Sequence, residues 1–198
     1  IALRHAVGQL EQTVYDIIAA RRASSADSGD LLSMLMNVRD DDGSGMSDKQ
    51  LRDEVLTFLL AGHETTALAL SWTWYLLSEH PEIELKLHAE LHRVLGGRSP
   101  EFADLSALAY TDRVIKESMR LYPPAWSLAR TAIEDFELRG YKIPAGANIV
   151  MSQWIMHRNP KYFPDPEKFN PDRWLDPAMQ KLPRFVYFLS LRATSSAK

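Results

Sequence analysis

Residues 47–80 constrain the fold more than any other part of this chain. They contain no proline, and after Val55 apolar side chains fall on nearly every face of a helix. A helix apolar all round is expected inside a core rather than on a surface. Ser47 followed by Gln50 has the form of a capping box, so the helix is expected to start there and run to about His80. Residues 55–77 are also the one candidate membrane span. His63 and Glu64 near the middle speak against it, because a charge at the centre of a bilayer is costly and rare. The expected reading is a buried helix in a large helical core.

The remaining elements arrange themselves around this one. Leu3, Ala6, Val7, Leu10, Val14, Ile17 and Ile18 recur at helical spacing, giving an amphipathic helix over residues 1–22 that ends in Arg21 and Arg22. Residues 23–29 read as a Ser-rich loop, 31–38 as a short apolar helix and 40–45 (DDDGSG) as a solvated turn. Pro81 opens the next helix, which stops at Gly96 and Gly97. A short helix is expected over 99–108, then one capped by Thr111 and ended by Pro123 and Pro124. Residues 136–138 and 141–143 flank Arg139–Gly140 as a hairpin, and Pro144-Ala145-Gly146 leads into a strand over 148–152. The segment 158–177 holds five prolines and reads as an ordered, irregular loop. The expected fold class is mainly α with a small β-sheet, in one domain.

Composition narrows the function classes. With 45% hydrophobic and 10% aromatic residues the chain is globular rather than disordered. A net charge of −3 is too weak to imply nucleic acid or an anionic membrane as partner. The sequence has no cysteine, so it offers no disulfide, no Cys-based zinc site and no thiolate. Ile1 is not an initiator Met and no signal-peptide pattern opens the chain, so the natural N-terminus is expected to lie upstream.

Three groups of residues carry chemistry. The first is AGHETT, residues 61–66, in the middle of the long helix. Gly62 costs about 1 kcal/mol of helix propensity. Hydroxyls at Thr65 and Thr66 can bond back to a carbonyl one turn earlier and open the helix locally, and a small residue beside such an opening leaves room for a ligand. A kink with a satisfied polar cluster is the plainer alternative. A zinc protease would need a second histidine four residues after His63, where Ala67 stands. His88 and His92 share a helix face, which is more often a polar surface than a metal site. The second group is Glu117 and Arg120, three apart and able to pair on one face. The third is FNPDRW, residues 169–174, whose Arg173 is suited to planar, multiply bonded pairing. It either completes a network with Glu117 and Arg120 or lies on the surface beside Trp174.

Taken in order, AGHETT, ESMR (117–120) and FNPDRW resemble the cytochrome P-450 family. The linking stretches LYPPAWSLART, EDFELRGYKIPAGANIV and HRNPKYFPDPEKFNPDRW resemble it almost continuously over residues 51–188. Glu64 for the more frequent Asp, Asp172 for Glu and Trp174 for Phe are mild departures. The resemblance implies a partial cytochrome P-450 fold, a single incomplete domain over 1–198, and a haem-dependent monooxygenase, an oxidoreductase that puts one oxygen atom from O2 into a small apolar substrate. It implies Thr65 as the hydroxyl that hydrogen-bonds bound dioxygen and Glu64 as the acid that relays protons to it. Ala61 and Gly62 would leave space for oxygen and substrate, and Arg130 would pair with a haem propionate. Glu117, Arg120 and Arg173 would form the structural ion network behind the haem, holding the loop from which the iron ligand emerges. An electron-donating redox partner, a ferredoxin or a flavin reductase, is expected, with no nucleic acid, and cytoplasmic placement is the default.

The family pattern breaks after RFVYF, residues 184–188. There the family carries a Gly-rich loop with the Cys whose thiolate binds iron. This chain reads LSLRATSSAK, residues 189–198, with neither Gly nor Cys. The divergent tail reads as a frame change or an artificial truncation. The coding DNA read in its other frames contradicts that expectation if no Gly-rich, Cys-containing loop appears. His63 would lie on the wrong side of the haem to replace the thiolate. The second functional reading is therefore a non-catalytic remnant, or a binding or regulatory fragment.

Overall fold

The computed structural model describes residues 2–24 and 28–187. Ile1, the centre of the Ser-rich loop (25–27), Phe188 and the divergent tail 189–198 lie outside the described residues. The chain divides into two compact units, Ile1–Glu64 and Thr65–Lys198.

The first unit holds α1 (Ala2–Ala23), α2 (Leu31–Asn37) and the N-terminal half of α3 (Asp48–Glu79). Its core is Val14, Ile18 and Leu51, with Leu32, Leu35, Met36, Met46, Val55 and Leu56 packed around them. Val14 and Ile18 are four apart and so share one face of α1. The outer members of the expected stripe, Leu3, Val7, Leu10 and Ile17, are exposed. Ion pairs tie the helix ends together. Arg21 forks onto Asp30 with Nη1 and Nη2 at 2.8 and 2.7 Å, and Asp30 caps α2 by accepting from the Ser33 amide at 3.0 Å. Arg22 reaches Asp48 in the first turn of α3 at 2.7 Å. The capping box forms as expected: the Ser47 amide donates to Gln50 Oε1 at 2.9 Å, and the Gln50 amide donates to Ser47 Oγ at 3.3 Å.

The second unit begins inside α3. Leu76 and Leu77 meet Ile83 and Leu87 of α4 (Pro81–Leu95), Tyr110, Val114 and Leu121 of α5 (Ala109–Leu121), and Phe169. Pro81 stands at the first helical position, and Gly96, with φ of 58°, closes α4 in the left-handed conformation that glycine adopts without a Cβ penalty. The short helix after Pro100 is 3-10 in form and covers residues 102–107. Thr111 lies inside the first turn of α5 rather than capping it. The amides of Tyr110 and Thr111 are instead satisfied by the Glu90 carboxylate of α4, each at 2.8 Å.

Beyond α5, β1 (Ser127–Thr131) pairs antiparallel with β4 (Asn148–Ser152), in a register that sets Ser127 against Ser152 and Thr131 against Asn148. β2 (Phe136–Leu138) and β3 (Tyr141–Ile143) form the expected hairpin. Arg139 and Gly140 both have positive φ, 50° and 85°, as a two-residue turn with the twist of its strands requires. The small sheet is thus two two-stranded sheets. A four-residue helix, α6 (Gln153–Met156), precedes the segment read as irregular, a 3-10 turn over 171–175 interrupts it, and a second four-residue helix, α7 (Pro177–Gln180), begins at its end.

One expectation is corrected. α3 is a single helix of 32 residues, but among the described residues its middle is not buried: residues 57–72 are exposed apart from a partly covered Ala69. Leu60 keeps 65% of its surface open. The buried clusters sit at the two ends of the helix, on Leu51 and on Leu76 and Leu77. An all-round apolar pattern reports what a helix needs around it, not what a given chain supplies.

Candidate functional site

Glu117 sits in the third turn of α5 with no exposed surface, beside an equally buried Arg120. A carboxylate so placed is tolerable only if it is paired and hydrogen-bonded, and five N–H groups, three of them from guanidiniums, reach it. Oε1 accepts from Arg120 Nη2 at 2.9 Å, from Arg173 Nε at 3.2 Å and from the Asn170 amide at 3.1 Å. Oε2 accepts from Arg120 Nε at 3.0 Å and from Trp174 Nε1 at 3.1 Å. Spacing alone pairs Glu117 with Arg120; the fold brings Arg173 and Trp174 to the same carboxylate from the proline-rich loop.

The two guanidiniums spend their other donors on backbone. Arg120 Nη1 donates to the carbonyls of His157 and Pro166 at 2.9 and 2.6 Å, and Nη2 to that of Lys168 at 3.2 Å. Arg173 donates to the carbonyls of Pro164, Asp165 and Lys168. An irregular loop has no helix or sheet ladder to satisfy its carbonyls, so cationic forks do it instead. The surface reading of Arg173 is thereby set aside.

His157 and Tyr187 complete the cluster. Their rings lie 5.1 Å apart, and Tyr187 also meets Trp174 at 4.6 Å. Burial pushes the His157 imidazole down to about 4, while its contacts with the backbone at Arg120 and Met119 act the other way. Burial pushes the Tyr187 phenol up, helped by the Glu117 charge, and its hydroxyl donates to the Lys116 carbonyl at 3.1 Å. His157, Asn170, Trp174 and Tyr187 were not among the sequence candidates. HRNP and FNPDRW carry the first three, but nothing in their spacing says that they converge on Glu117.

The AGHETT residues lie elsewhere in the chain. Ala61, Gly62, Glu64 and Thr65 lie within five residues of α3, all exposed, and the helix runs through them without the local opening that the hydroxyls suggested. A Cβ built on Gly62 would meet nothing within 4 Å, so the space beside it is open. Arg130, on β1, is exposed, with Nη1 donating to the Ala129 carbonyl at 2.7 Å. Among the described residues no three of His, Asp and Glu group in a way that could hold a metal ion. None of the described helices is long and apolar enough to cross a membrane.

Comparison with known proteins extends these observations. Cyclooctatin synthase of Streptomyces melanosporofaciens is 46% identical over 184 residues, covering 92% of this chain and 40% of that protein. Cyclooctat-9-en-7-ol 5-monooxygenase of the same organism is 47% identical over 177 residues, covering 89% of this chain and 39% of its own. Among solved structures, cyanobacterial CYP120A1 with retinoic acid bound matches with a TM-score of 0.86 at 31% identity, over 93% of this chain and 42% of that one. The chain thus spans about 40% of the length of these two curated relatives. The family model for cytochrome P-450 matches residues 2–189, so the likeness extends well beyond the three motifs and takes in both compact units. With nearly all of its length accounted for in this way, the chain belongs to the cytochrome P-450 family.

Proposed function

We propose that this chain is part of one cytochrome P-450 domain and carries the oxygen-side residues of a monooxygenase that acts on a small, mainly apolar organic substrate. The convergence of Glu117, Arg120 and Arg173, in a chain that belongs to this family, carries the reading. Haem, when bound, supplies dioxygen activation and accepts electrons from a ferredoxin or a flavin reductase.

The residues present fit that group on one side only. Ala61 and Gly62 are small residues on an exposed stretch of α3, so neither would obstruct oxygen or substrate there. The Thr65 hydroxyl offers a hydrogen bond there, and the Glu64 carboxyl holds and passes a proton. Consecutive positions on a helix do not face one another, so Glu64 and Thr65 would act from neighbouring sides of α3. The exposed Arg130 guanidinium suits a propionate carboxylate. The axial donor does not fit: the chain contains no cysteine. The 198-residue polypeptide by itself is therefore without hydroxylase activity.

As to substrate, one similar protein is named for an alkenol and another was solved with retinoic acid. Only the coarser class, a small and mainly apolar molecule, is carried to this chain. The test is the absorption spectrum of the purified chain mixed with haem, reduced and exposed to carbon monoxide. A free-haem or histidine-type spectrum is expected. A thiolate-type band would refute the reading of the donor set, because no residue here can produce it.

A further inference from the structure

We propose that Trp174 is a positioning residue, tying the buried Glu117 network to Tyr187. The proposal rests on the reading that this network holds the segment from which the iron ligand emerges. Three observations carry it. First, the indole Nε1–H donates to Glu117 Oε2 at 3.1 Å. A carboxylate has about four acceptor positions, two on each oxygen. Oε1 already has three donors, whereas Oε2 has only Arg120 Nε besides the indole. A phenylalanine here would leave Oε2 with a single donor at a site with no exposed surface.

Second, the same ring meets Tyr187 at a centroid distance of 4.6 Å. It packs on the cluster of Phe163, Met179 and Val186. Trp174 therefore touches the ion network with its indole N–H and packs its ring on Tyr187 and on the cluster that holds Val186. Third, Tyr187 is held on its other sides by His157 and by the Lys116 carbonyl, so a shift of the indole has little slack to disappear into.

Hydrogen exchange on the full 198-residue chain tests this. In the unmodified chain the Trp174 indole proton is expected to be protected; exchange at the rate of free indole overturns the proposal. In Trp174→Phe the Val186 amide, which donates to the Pro183 carbonyl, should exchange roughly tenfold faster, the cost of one charge-assisted hydrogen bond. The Val114 amide of α5 should keep its rate, because a merely structural loss would loosen both. An unchanged Val186 rate overturns the proposal. Arg173→Lys separates it from the network reading. Acceleration at Val186 in Arg173→Lys but not in Trp174→Phe removes the role of Trp174 and leaves the network standing; acceleration in neither removes both. If Trp174→Phe does not fold, the indole proton of the unmodified chain decides.

Discussion

Replacing Glu117 by Gln removes one negative charge from a site with no exposed surface and leaves Arg120 and Arg173 facing it. The amide of Gln keeps one acceptor oxygen, while its NH2 group is turned toward N–H donors. Of the five donors now on the carboxylate, two come from Arg120, one from Arg173, one from the Asn170 amide and one from Trp174. Breaking a buried pair by removing one partner costs about 3–5 kcal/mol, because the remaining charge stays buried without compensation. A domain stable by about 5–15 kcal/mol loses a large part of its margin. With a urea slope of about 2 kcal/mol/M, the midpoint should fall by about 1.5–2.5 M. All five tryptophans, Trp72, Trp74, Trp126, Trp154 and Trp174, lie in the second unit, so urea unfolding followed by tryptophan fluorescence reports on that unit alone. Asp112→Asn, which breaks the exposed Lys116–Asp112 pair on the same helix, is the control and should cost about 0.3–0.5 kcal/mol. A loss in Glu117→Gln no larger than the control would refute the reasoning that burial makes this carboxylate matter.

Two further outcomes concern neighbouring groups. Burial alone would raise the Glu90 carboxyl, but the amides of Tyr110 and Thr111 and the Thr111 hydroxyl outweigh it and hold it below its ordinary range. Its contribution is complete above the unfolded value and lost as pH falls through the folded one. Glu90→Gln should cost about 1–2 kcal/mol at pH 7 by urea unfolding, and a change near zero would rule out this capping of α5 from α4. For His157 the folded value is lowered, from 6.5 to about 4, so the unfolded chain binds the proton more readily. Stability therefore rises with pH between about 4 and 6.5 and is lost on acidification through that window, by at most about 3 kcal/mol. The same pH slope in His157→Phe would refute that assignment.

Much of the helical framework is legible because its signals are local. The Ser47–Gln50 box, Pro81 and Gly96 mark helix ends by chemistry confined to a turn, and the structure places the ends there. Arg139–Gly140 does the same for the hairpin. What escapes is what depends on distant partners. Thr111 looks like a cap until Glu90, from the preceding helix, takes the amides it would have served. β1 has no pattern of its own to distinguish it from loop, and becomes a strand only because β4 returns to pair with it. At the site, the Glu117–Arg120 pair follows from i,i+3 spacing, but the arrival of Arg173 and Trp174 needs the path of a loop that no periodicity predicts. The all-round apolar face of α3 misleads about burial for a related reason: it specifies an environment, and only the two ends of the helix find one among the described residues.

The two guanidiniums hold the loop by its backbone, at the carbonyls of His157, Pro164, Asp165, Pro166 and Lys168. Carbonyls are the same whatever side chain they belong to, so the forks read the path of the backbone rather than the side chains along it. Removing or adding one residue between 157 and 173 would put several carbonyls out of register with two rigid forks at once. Across relatives of this chain, that segment should keep its length, and an alignment gap there should coincide with the loss of one of the arginines.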